Sequence, residues 1–160
     1  MKNSGFALTE AGIILVYISV AVVAMSALIV STHKAAALNA RRLKAVEFAS
    51  GLLEEVLSRR WKEKGDPAVA LGCEDGEDDG DKNTFDDVDD FNGWEESPLL
   101  FPAGAHAPDE FPAYSRRVSV VYIDSGDIPS VSPTPFKKIT VSVFKGGVHL
   151  ISLSGQRSDH

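Results

Sequence analysis

The densest chemistry in this sequence is acidic. Between Glu74 and Glu96 lie twelve carboxylates and one lysine, a segment charge of −11 in a chain whose net charge is −7. Within it, Asp75, Glu77, Asp79, Asp81, Asn83 and Asp86 place side-chain oxygens at positions 1, 3, 5, 7, 9 and 12 of a twelve-residue loop, with Gly80 at position 6. Oxygen ligands at those positions, around a sharp turn at the sixth, suit a hard cation such as Ca2+. The twelfth residue is Asp rather than the longer Glu, and Lys82 stands where an apolar residue is usual. No helix pair flanks the loop, so the expectation is a looser calcium-stabilised loop and not an EF-hand. Two other fates are open to these carboxylates. They form a solvated acidic surface, or Asp86, Asp87, Asp89 and Asp90 accept hydrogen bonds from loop backbone N–H groups, as Asp does in turns.

Other chemistry is sparse. His33, His106, His149 and His160 are scattered, without the spacing of a metal-binding or catalytic motif. No nucleophile elbow, phosphate-binding glycine loop or dinucleotide fingerprint occurs, and no enzymatic function is expected. Cys73 is the single cysteine, so no internal disulfide staples the fold. It reads as a small, partly buried side chain, with a lipid attachment or an intermolecular disulfide as the sharper alternatives. No basic stripe with interleaved aromatics appears, so no nucleic-acid partner is expected.

A different constraint governs the N-terminal third. Residues 11–30, AGIILVYISVAVVAMSALIV, carry no charge, and their polar side chains are only Tyr17, Ser19 and Ser26. A run of about 20 apolar residues is what a helix needs to cross a hydrocarbon core of about 30 Å. From Ser31 onward the pattern becomes one-sided. Leu38, Ala45, Ala49, Leu52 and Val56 recur at spacings of 3, 4 and 7, with Trp61 as a further candidate. No proline precedes Pro67, and Gly65-Asp66-Pro67 supplies a stop signal. These features predict one continuous helix over 6–64, followed by an acidic loop and sheet domain over 65–160.

Residues 66–113 are rich in Gly, Pro, Asp and Asn and read as loop, with Phe85, Val88, Phe91 and Trp94 at a spacing of three as anchors to the core. Strands are expected at Ser115–Asp124, Lys138–Phe144 and Val148–Leu153 from their alternating or β-branched patterns. Gly146-Gly147 suits a two-residue hairpin because both positions accept positive φ. The fold class is therefore α+β: a long N-terminal helix, transmembrane in its first half, packed on a small antiparallel sheet.

The segment Gly5-Phe6-Ala7-Leu8-Thr9-Glu10, leading into the apolar run, resembles the type IV prepilin signature. The resemblance implies cleavage by a prepilin peptidase after Gly5, which removes a leader over 1–5, and N-methylation of the new N-terminal Phe6. It implies a pilin-like fold and assembly into a type IV pilus or a type II secretion pseudopilus. The partners implied are other pilin or pseudopilin subunits, an inner-membrane assembly platform and membrane lipid. The segment from Phe85 to Trp94 also looks like a motif of some minor pilin-like proteins, which favours a minor over a major subunit. Many members of the family carry a proline midway through the apolar segment, and this chain carries none there.

Glu10 has a physical role in that picture. A carboxylate at the mouth of a spanning helix costs several kcal/mol if it stays unpaired in lipid. Cleavage before Phe6 creates a positive amine, and as the resemblance implies, Glu10 of one subunit meets that amine on a neighbour. Low dielectric strengthens such a pairing. The alternative is a Glu10 merely solvated among headgroups. Orientation has two opposed readings. Lys34, Arg41, Arg42 and Lys44 follow the span and only Lys2 precedes it, which by charge count keeps the C-terminal domain in the cytoplasm. The resemblance instead places a single-pass protein in the bacterial inner membrane with that domain outside the cytoplasm. A secretory signal ending at Ala35-Ala36-Ala37, with a mature start at Leu38, is a rival targeting reading. So is a single-pass calcium-binding or adhesive surface protein that never polymerises.

A calcium-stabilised loop predicts a higher melting temperature in millimolar calcium than in chelator. An unchanged temperature would count against calcium binding.

Overall fold

The computed structural model describes residues 4–62, 71–73, 80–97, 99 and 113–159, with side chains from residue 9 onward. Among the described residues, one long helix, α1 (Ser4–Ser58), is followed by a 3-10 turn at Asp89–Phe91 and four strands: β1 (Glu95–Glu96), β2 (Tyr114–Ile123), β3 (Phe136–Lys145) and β4 (Val148–Ser158). The strands form one antiparallel sheet in the order β1-β2-β3-β4. The expected α+β class, a long helix packed on a small antiparallel sheet, is what the structure shows.

The chain divides into two compact units, Met1–Arg41 and Arg42–His160. In the first, every described side chain from Thr9 to Arg41 is exposed. The helix here is long and apolar enough to cross a bilayer. Four of its hydroxyl groups find their partners within the helix. Ser19, Ser26, Ser31 and Thr32 donate to the helix's own carbonyls at Val16, Val22, Leu28 and Ile29, each at 2.8 Å. Back-bonding of this kind satisfies a hydroxyl where no water is available.

In the second unit the helix becomes one-sided. Ala45, Phe48, Ala49, Leu52 and Val56 are buried against Val118, Val120, Ile139, Val141 and Val143 of the sheet. Spacings of three and four put those helix residues on one face, and strict alternation puts the strand residues on the other. The β2–β3 register sets Val118 opposite Val141 and Val120 opposite Ile139. The β3–β4 turn is made by Gly146 (φ 56°) and Gly147 (φ 79°), as their sequence predicts.

Several boundaries differ from expectation, among them the start of β3 at Phe136 rather than Lys138. Leu38 is 56% exposed and does not belong to the packed face, which begins at Ala45. The helix ends at Ser58, short of Lys64, where tertiary groups take the carbonyl of its last turn and that of the chain just after it. Arg157 of β4 donates to the Leu57 carbonyl at 2.9 Å, and the Val88 N–H donates to the Arg60 carbonyl at 3.0 Å. Strand β4 runs on to Ser158, beyond Leu153, through a polar stretch. It can do so because Gly155 faces the helix, where a Cβ would stand 2.9 Å from Leu57 Cδ1. The two-residue β1 was not expected at all.

Leu52→Ala, at a fully buried site, is expected to lower unfolding free energy by about 2–5 kcal/mol. Leu38→Ala should change it by less than about 0.5 kcal/mol. Urea titration followed by tryptophan fluorescence in detergent micelles distinguishes the two. Equal losses would show that the packed face extends through Leu38.

Candidate functional site

The sequence singles out two regions, and the structure treats them differently. Gly5 and Phe6 lie in the first turns of α1, and Glu10 follows one turn after Phe6 on the same helix. Glu10 is exposed and is the one charged residue between Lys2 and Lys34. Its carboxylate therefore sits at the start of the apolar run, and no opposite charge lies within reach along the helix. Covering that run in lipid or among other helices would leave Glu10 in need of a positive partner.

The acidic loop is only half visible. Asp75, Glu77 and Asp79 lie outside the described residues. Asp81 Oδ1 accepts from the backbone N–H of Asn83 at 3.0 Å and from its side-chain amide at 2.6 Å. Asp86 forms an ion pair with Arg60. The three described candidate ligands are thus engaged in a turn and a salt bridge. No group of three or more His, Cys, Asp or Glu side chains poised for a metal occurs among the described residues.

The carboxylates that follow do structural work through backbone N–H groups. Asp90 Oδ2 accepts from the N–H groups of Asp86 and Asp87, both at 2.9 Å, and Asp87 Oδ1 accepts from the Asp89 N–H at 2.6 Å. These bonds wind the chain into the 3-10 turn. Around that turn Phe85, Val88, Phe91 and Trp94 face inward, and all four are buried. Phe85 stands edge-on to Phe91 at 4.9 Å and to Trp94 at 5.3 Å. Of the four, Phe91 alone lies within the 3-10 turn, and the chain on either side of it brings the other three onto the same side. Asn92 Oδ1 then accepts the Val120 N–H at 3.0 Å and fastens the segment to β2. Cys73 is half-buried beside this core, with Sγ 3.6 Å from the Asp90 carbonyl oxygen.

Among the described residues of this unit are two buried charge clusters, and neither was anticipated. Lys137 of β3 is fully buried, with Nζ 2.6 and 2.7 Å from the two carboxylate oxygens of Asp89 and 2.6 Å from the Trp61 carbonyl. It also lies 3.9 Å above the Trp61 ring. The second cluster centres on Glu96 of β1. Its Oε2 accepts from Arg116 Nε at 2.6 Å, while Arg116 Nη1 donates to the Phe48 carbonyl at 3.1 Å. Lys82 joins Glu96 (3.6 Å) to Glu55 (3.2 Å). A signal for both cations was present. Lys137 shares strand parity with Ile139 and Val141, and Arg116 with Val118 and Val120, so each is a charge on an inward face. A charge in that place needs a buried acid.

Burial pushes the Asp87 carboxyl up to about 6. The Asp89 N–H and the Lys137 charge oppose that rise, and the charges of Asp90 and Asp89 add to it. Asp89 is also raised, again by burial, although Lys137 holds it down in part. A carboxyl raised above its unfolded value binds protons more tightly when folded. Its stabilising effect is full below about pH 4 and is lost as pH rises through about 6.

Asp87→Asn should therefore be better tolerated at pH 7 than at pH 4.5. Unfolding free energies of wild type and variant at the two pH values check this. A variant-minus-wild-type difference independent of pH would contradict the assignment. No protein-family model, curated protein or solved structure matches this chain.

Proposed function

We propose that this chain is a membrane-anchored structural subunit of a type IV pilin-like filament, either a pilus or a type II secretion pseudopilus, and a minor rather than a major component. The observation that carries this reading is Glu10: a lone carboxylate four residues after Gly5-Phe6, at the head of an uncharged run on a continuous helix. The α+β architecture supports it, since a helix with a free apolar half and a sheet-covered second half suits a subunit that bundles through one end and displays the other.

On this reading a prepilin peptidase cuts between Gly5 and Phe6, Phe6 is methylated, and α1 holds the subunit in the bacterial inner membrane with the sheet unit outside the cytoplasm. An assembly platform then brings subunits together. As they approach, the Glu10 carboxylate pairs with the new amine of a neighbour, and both charges leave lipid together. An uncompensated carboxylate in that environment is disfavoured by several kcal/mol, so the pairing selects a staggered arrangement of helices. The apolar side chains of residues 11–30 then cover one another in the filament core. No catalytic step is required of this chain.

Glu10→Ala should still insert into membranes but fail to co-assemble with its partner subunits, read by crosslinking and sedimentation of sheared filaments. Assembly at the wild-type level would remove the pairing. It would favour a single-pass surface protein, adhesive or calcium-binding, that never polymerises.

A further inference from the structure

We infer that the helix segment following the apolar run is a binding surface for anionic phospholipid headgroups. This rests on the insertion of α1 proposed above, and not on polymerisation. From Ala11 to Val46 the sequence contains no acidic residue. The cations of that stretch, Lys34, Arg41, Arg42 and Lys44, all fall after the apolar run, with His33 beside them. All of these residues are helical and exposed. No carboxylate lies within one helical turn of Lys34, Arg41 or Arg42 along the chain, so the helix itself does not neutralise them.

Their spacing from the span fits a membrane surface. Lys34 follows Val30 by four residues, about 6 Å of helix rise, which is the depth of a headgroup layer. Arg41 is on the order of 17 Å beyond Val30 along the axis. Helical side chains lean toward the helix N-terminus, here toward the bilayer. A long guanidinium side chain thus reaches back toward the headgroups, and its residual distance is comparable to a screening length of about 8–10 Å. The apolar stems of Lys and Arg can lie along the interface while their charged ends meet phosphate. The continuity of this collar with a lipid-length apolar helix identifies the occupant as lipid, and its charge selects the anionic class.

The full chain, reconstituted into vesicles of equimolar phosphatidylcholine and phosphatidylglycerol, tests this. Protein is recovered by brief extraction in mild detergent, and its retained lipid is quantified by mass spectrometry. Wild type should retain phosphatidylglycerol over phosphatidylcholine by on the order of fivefold. The variant Lys34→Gln/Arg41→Gln/Arg42→Gln should fall to the bulk ratio, as should wild type in about 1 M salt, where screening is near 3 Å. Glutamine keeps helix propensity, and resistance to alkaline extraction scores insertion separately. Failed insertion would overturn the anchor. Insertion with a bulk lipid ratio in wild type, or with undiminished enrichment in the variant, would overturn the lipid surface alone.

Discussion

Twenty consecutive residues of α1, from Ala11 to Val30, have no buried member. Eleven of them are Ile, Leu or Val with more than half of their surface open. Each would gain about 1 kcal/mol if the remainder were covered, so full cover is worth on the order of 10 kcal/mol. That is as large as the whole stability of an ordinary domain. The helix is long and apolar enough to cross a membrane, and in the proposed filament lipid or like helices supply that cover. The backbone is ready for either, since its hydrogen bonds are internal and its serine and threonine hydroxyls turn back on the helix. The lone carboxylate of Glu10 acquires its meaning from this surrounding.

The second unit solves a contrary problem. It must carry many charges and still close a small core. It does so by engaging selected carboxylates at defined places: Asp90 and Asp87 at backbone N–H groups, Asp89 at Lys137, and Glu96 at Arg116 and Lys82. Burying a charge pair adds little net stability, but removing one partner commonly costs about 3–5 kcal/mol. The effect is to specify one arrangement. Lys137 joins β3 to the 3-10 turn and to the chain just beyond α1, and Arg116 joins β1 and β2 to the C-terminal part of the helix at Phe48. Helix, turn and sheet are thereby fixed in a single register before apolar packing is counted.

Much of this was legible in the residues. The uncharged run, the Gly146-Gly147 turn and the alternation of β2 and β3 each report a local pattern that the chain obeys, and the three-residue spacing from Phe85 to Trp94 marks four residues that are all buried. Glu10 stood out because a charge at the edge of such a run is costly, and Gly5 and Phe6 stood out only through the resemblance to the prepilin signature. What escaped were features set by distant partners. Arg157 and Val88 meet the chain at the end of α1, β1 is decided by the arginines of β2, and the length of β4 by a glycine under Leu57. None of these leaves a local pattern. The inward-facing Lys137 did leave one, since it breaks the apolar alternation of β3, but its partner Asp89 was hidden among similar neighbours.

The two units have complementary tasks in the proposed filament: one is satisfied only by company, the other is complete alone. In that proposal the cut before Phe6 supplies the amine that the Glu10 carboxylate would otherwise lack in lipid. The most direct measurement is the N-terminal sequence and intact mass of the protein isolated from membranes of its native host. The account predicts a chain that begins at N-methylated Phe6. A chain that retains Met1, or one that begins at Leu38, would contradict it.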